Sequence, residues 1–125
     1  MHYVAPGTQR LACGADFVPT LRSDTYDYIK PTQWDLKGRA VLITGASKGI
    51  GLETAISFAK AGASKIAIAA RTSLDSLKSE IEAAAEKAGR PVPQIVVLKL
   101  DVADYDSAAA AAKKVEEAFS RLDIL

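Results

Sequence analysis

The sequence has one cysteine, Cys13, and one histidine, His2. One thiol excludes an intrachain disulfide, and the two residues together are too small a ligand set for a structural zinc site, so no metal ligands are assigned. That thiol usage fits a reducing, cytoplasmic compartment. No segment approaches the roughly 20 apolar residues of a membrane span, and the first twenty residues lack the apolar stretch of a secretory signal. No membrane partner is expected. An excess of charge is missing too: 16 basic residues stand against 15 acidic ones, for a formal charge of +1. That balance excludes the broad positive face that non-specific nucleic-acid binding requires.

What is present is an ordinary globular composition, 49% apolar and 25% charged in 125 residues, enough for one packed core and no separate substrate domain. Residues 1–38 hold three of the five prolines and most of the aromatic residues without sustained periodicity, and read as an N-terminal arm. From Arg39 onward the chain is strongly patterned. Ala40 to Thr44 (A-V-L-I-T) reads as a buried parallel strand, and Gly51 to Lys60 as a helix closed by Gly62. Lys65 to Ala70 is the second strand. The spacing of Leu74, Leu77, Ile81 and Ala84 predicts a helix opened by a Thr72–Asp75 capping box and ended by Gly89, Pro91 and Pro93. Ile95 to Leu100 is the third strand, Val115, Phe119 and Leu122 mark a third helix, and Ala108 to Ala112 are strong helix formers within it. Asp123 to Leu125 begin a fourth strand. The order βαβαβα(β) specifies a doubly wound parallel α/β sheet of the Rossmann type, incomplete after strand 3 and the start of strand 4, over residues 39–125.

The turn after the first strand reads Thr44, Gly45, Ala46, Ser47, Lys48, Gly49, Ile50, Gly51. A turn from a buried strand into a helix exposes unpaired N–H groups and the positive end of the helix dipole, which attract a phosphate. Gly45 permits the tight turn, Gly49 lets a pyrophosphate approach the backbone, and Gly51 lets the helix pack close. The spelling is G-x-x-x-G-x-G. It is not a P-loop, because Lys48 precedes the second glycine instead of following it. It is not G-x-G-x-x-G either, because Thr54 stands where the third glycine belongs.

T-G-A-S-K-G-I-G after A-V-L-I, with D-V at the end of the third strand, resembles the short-chain dehydrogenase/reductase family over roughly residues 37 to 125. The lead-in D-T-Y-D-Y-I-K-P, Asp24 to Pro31, is similar to N-terminal arms of some fungal members. The resemblance implies a Rossmann domain binding NAD(H) or NADP(H), with the strand order 3-2-1-4. It implies cofactor contacts from the glycine turn, here Gly45, Ser47, Lys48, Gly49, Ile50 and Gly51.

The choice of nicotinamide cofactor is read at the tip of the second strand. An acidic residue there accepts the adenosine ribose hydroxyls in NAD-binding folds. This chain has Ala70 and then Arg71, so the extra phosphate of NADP(H) meets no carboxylate, and a guanidinium can grip it. Lys48 supplies a second charge, and Thr72 and Ser73 supply hydroxyls. Thr72 admits two roles, phosphate contact or helix cap. Asp101 and Val102 leave the third strand where an adenine would lie, and Asp101 admits two roles as well, acceptor from the base or turn cap.

The family's Ser, Tyr and Lys constellation and its N-N-A-G motif have no counterpart after the glycine turn, so no catalytic residue is assigned. The one Y-x-x-x-K match, Tyr26 to Lys30, precedes the glycine motif and runs into Pro31, which disfavours a helix. The expectation is the NADP(H)-binding portion of an oxidoreductase acting on a small carbonyl or alcohol substrate, inactive as this chain alone. Homo-oligomers are compatible with a complete chain. The alternative is a non-catalytic nucleotide-binding product, or a truncated chain that needs a partner.

Overall fold

The computed structural model describes Thr20 and residues 22–125, so Cys13 and His2 lie outside the described residues. The chain divides into two units, Met1–Lys30 and Pro31–Leu125. In the first, the Arg22 guanidinium lies 3.8 Å from the centre of the Tyr26 ring. A single 3-10 turn, Asp27–Ile29, follows, with Lys30 paired to Asp27. Tyr26 is the residue before that turn and Lys30 the residue after it, so the two do not share a long helix.

The second unit runs from a 3-10 turn, Pro31–Gln33, through β1 (Ala40–Thr44), α1 (Gly49–Lys60), β2 (Lys65–Ala70), α2 (Asp75–Lys87), β3 (Gln94–Lys99) and α3 (Tyr105–Phe119). All strand pairs are parallel, with Val41 opposite Ile66 and Ile66 opposite Ile95. Successive side chains on a strand point to opposite faces. Val41, Ile43, Ile66 and Ile68 therefore pack on one face with Ala55, Ile56, Ala59 and Ile81 of α1 and α2. Ala40, Leu42, Ala67 and Ala69 pack on the other face with Ala111, Val115 and Phe119 of α3. Helices on both faces leave no side of the sheet for polar residues, which is why A-V-L-I-T and K-I-A-I-A-A carry almost none.

Three local expectations are corrected. The Thr72–Asp75 capping box does not form: the residue before α2 is Leu74, with no side-chain cap, and it is buried in the core. Leu122 lies beyond α3 and is 45% exposed, because Ser120 adopts φ 58° and ends the helix one turn earlier. α1 begins at Gly49 rather than Gly51, which brings two glycines of the turn into the helix.

The start of the fourth strand is present as a parallel bridge between Val41 and Ile124. The order across the sheet is therefore β3-β2-β1 and then residue 124. Asp123 fastens it. Its carboxylate accepts the Ala40 N–H at 2.8 Å, the Arg121 Nε at 2.9 Å and a long bond from Arg39 at 3.4 Å. The Arg121 guanidinium, then the Ala40 amide, hold the Asp123 carboxyl down from 3.8 to about 2. A depressed folded-state value means that its stabilisation is present above the ordinary carboxylate range and lost as pH falls through about 2. Hydrogen exchange at the Leu42 amide, which donates to Ile124 O at 2.9 Å, should accelerate relative to the intrinsic rate of a free amide as the pH is lowered from about 4 to about 2. In Asp123→Asn it should already be fast at neutral pH. An Asp123→Asn chain with native protection at Leu42 would refute the fastening role.

Candidate cofactor site

The site lies where β1, β2 and β3 end together. Because the strands are parallel and in register, Gly45, Arg71 and Leu100 emerge at one edge of the sheet, the position where open α/β sheets bind ligands. The turn after β1 is tied to the tip of β2 by the Ala46 N–H, which donates to Ala69 O at 3.2 Å. Ala46 itself is fully buried. That leaves Ser47 and Lys48 to form the outer lip.

Gly49 has φ +61°, and a Cβ built on it meets nothing within 4 Å. The left-handed angle disfavours any other residue, and the space that a side chain would fill in front of it is open. Gly51 is constrained differently. A Cβ there would lie 2.2 Å from the Gly45 carbonyl oxygen, so only glycine lets α1 start this close to the turn. Lys48, extended at φ −167°, precedes α1 and provides no side-chain cap. The first N–H groups of α1 therefore remain for an outside acceptor. Thr54, where a third glycine would stand in the other spelling, donates its hydroxyl to Ile50 O at 2.7 Å.

A pocket of about 790 Å³ brings together Gly45, Ser47, Lys48, Arg71, Thr72, Asp101 and Val102. Ala70, Leu100 and Ala103 complete its wall. Leu100 and Ala103 carry no polar side chain and no spacing signal, so sequence reasoning passes over them. Gly49, Ile50 and Gly51 stand beside the pocket at the start of α1, with the Ile50 side chain 88% exposed. Ser73 is outside the lining. Its hydroxyl donates to Asp75 Oδ2 at 2.6 Å.

The electrostatics of the pocket are one-sided at its α1–β2 end. Lys30, Arg39, Lys78, Arg90 and Arg121 each have a carboxylate within 4 Å. Lys48 and Arg71 are among the described cations that have none, and they are the two that line this pocket. At the β3 end, Asp101 Oδ1 accepts the Ala103 N–H at 3.0 Å, and the Asp101 N–H donates to Ser107 Oγ at 3.0 Å. The turn role of Asp101 is thus realised through one carboxylate oxygen. The residues present fit a dinucleotide: glycine backbone and a helix start for the pyrophosphate, cations at one end and an acceptor at the other.

The family model described as short chain dehydrogenase matches residues 39–125. The chain is 49% identical over 114 residues to the short chain dehydrogenase mpl6 of Monascus purpureus, a match covering 91% of this chain and 39% of that protein. It therefore takes in part of the lead-in as well. A putative short-chain alcohol dehydrogenase from Sinorhizobium meliloti superposes with a TM-score of 0.57 at 41% identity, over 72% of this chain and 34% of that one. The C-domain of a bacterial malonyl-CoA reductase, solved with NADP, gives 0.65 at 31% identity, over 76% of this chain and 15% of the other. The chain belongs to the short-chain dehydrogenase family, oxidoreductases that bind a nicotinamide dinucleotide. It spans between 24% and 39% of the length of curated relatives that it matches. Among the described residues no helix is long and apolar enough to cross a membrane.

Proposed function

We propose that residues 39–125 are the NADP(H)-binding portion of an oxidoreductase that acts on a small carbonyl or alcohol substrate, in a reducing, cytoplasmic compartment. The reading is supported above all by one observation: Lys48 and Arg71 line the same pocket without a carboxylate partner among the described residues, beside Ala70 where an acid would repel a phosphate. Gly45, Gly49 and Gly51 with the first amides of α1 would hold the pyrophosphate, with Ser47 and Ile50 flanking it. Arg71, Lys48 and the hydroxyl of Thr72 would hold the 2′-phosphate. The free Asp101 oxygen and the Val102 N–H would meet the adenine edge, and Ser73 would stand at the rim. The bound nicotinamide supplies hydride chemistry, while this chain's residues bind and orient it.

Charge-assisted hydrogen bonds contribute about 1.5 to 3 kcal/mol each. Arg71→Ala should therefore weaken NADPH binding by about tenfold or more and leave NADH nearly unchanged. Ala70→Asp should invert the preference. Titration of a completed chain and of both variants with the two cofactors tests this, and equal affinity of the unsubstituted chain for NADPH and NADH would overturn it.

A further inference from the structure

Asp75 is a charged group four residues along the chain from Arg71 that the cofactor reading leaves without a role. It is the first residue of α2, it is exposed, and no cation lies within 4 Å of it among the described residues. Its Oδ2 takes the only hydroxyl proton of Ser73, at 2.6 Å, a length typical of an O–H donating to a charged acceptor. Two consequences follow from that one bond. The hydroxyl that continues the series Arg71, Thr72, Ser73 is committed to a neighbour and cannot also donate to a ligand. A negative charge is also held four residues along the chain from Arg71, where it opposes an anion that Arg71 grips.

We propose that Asp75 is a specificity-determining residue of the dinucleotide site, limiting its preference for the 2′-phosphorylated cofactor by holding the Ser73 proton and by its charge. This rests on the NADP(H) reading given above. The carboxylate keeps a place in the fold because an acid in the first turn of a helix is favoured by the helix dipole, here the first turn of an α2 that lacks a side-chain cap. Asparagine in its place preserves the size and an acceptor oxygen, removes the charge, and lets the Ser73 hydroxyl turn to an incoming phosphate.

The test is a titration of the full chain and of Asp75→Asn with NADPH, NADH and adenosine 2′,5′-bisphosphate. Substitution should raise the ratio of NADPH to NADH affinity by about three- to fivefold, the size expected of an exposed charge and one hydrogen bond. It should tighten the bisphosphate in parallel. The gain should shrink at about 1 M salt, which screens exposed charges. Ser73→Ala in the Asp75→Asn background should remove the part of the gain that the hydroxyl provides. An unchanged ratio in Asp75→Asn, or an equal shift for NADPH and NADH as expected if Asp75 only stabilises α2, would overturn the inference while leaving the cofactor reading in place. Equal NADPH and NADH affinity in the unsubstituted chain would instead remove the reading beneath it.

Discussion

Gly49→Val should abolish binding of NADPH and NADH alike while the chain keeps its helices and sheet. The Cβ of residue 49 points into open space, so the folded chain has no internal atom to clash with. The cost of the left-handed backbone angle is about 1 to 2 kcal/mol, a strain the core can absorb. The added side chain fills the volume in which the pyrophosphate would sit. Gly51→Val should behave in the opposite way. Its Cβ would lie 2.2 Å from Gly45 O, so the turn or the start of α1 must move, and melting temperature should fall together with binding. Circular dichroism and cofactor titration of the two variants separate the cases. Unchanged NADPH affinity in a folded Gly49→Val chain would show that the phosphate cradle lies elsewhere.

Expressed alone, the 125-residue chain should associate with itself and show no carbonyl-dependent oxidation of NADPH above a protein-free blank. β1 lies at one edge of the three-stranded sheet, and Ile124 is the only residue bridged to its outer side among the described residues. On the α3 side, Leu42, Leu100, Val115, Leu122 and Leu125 line an apolar groove of about 480 Å³. On the opposite side, Val41, Ile43, Phe58 and Ile124 line another of about 450 Å³. Unpaired strand edges flanked by apolar surface recruit other chains. Chemistry should be absent because no Ser, Tyr and Lys set follows the glycine turn, and Tyr26 and Lys30 flank a single 3-10 turn. Light scattering, a thermal melt and an NADPH oxidation assay against a panel of carbonyls provide the check. A monodisperse monomer melting sharply would contradict the structural part, and measurable turnover the chemical part.

Strand and helix order was legible in the residues wherever burial dictated composition. A-V-L-I-T and K-I-A-I-A-A are covered on both faces, so their sequences had no freedom to be polar, and their ends agree with the structure residue for residue. The glycine turn was legible for a similar reason: Gly49 answers a backbone angle and Gly51 a close approach, both local requirements. Helix starts were less so. Thr72 and Asp75 have the right spacing for a cap, but the burial of Leu74 between them decided where α2 begins, and burial depends on what the rest of the chain places beneath it.

The sequence by itself determined the alternation of strands and helices, the phosphate-type turn and the absence of an acid at Ala70, because each is encoded within a few adjacent residues. Only the tertiary structure decided which distant groups meet. Parallel register brings Lys48, Arg71 and Asp101, separated by up to fifty-three positions, to one edge of the sheet. It likewise places Asp123 against Ala40 and Arg39. Such pairings depend on how far each strand runs before its turn and on which side each helix packs, and those are properties of the whole core, not of any one segment.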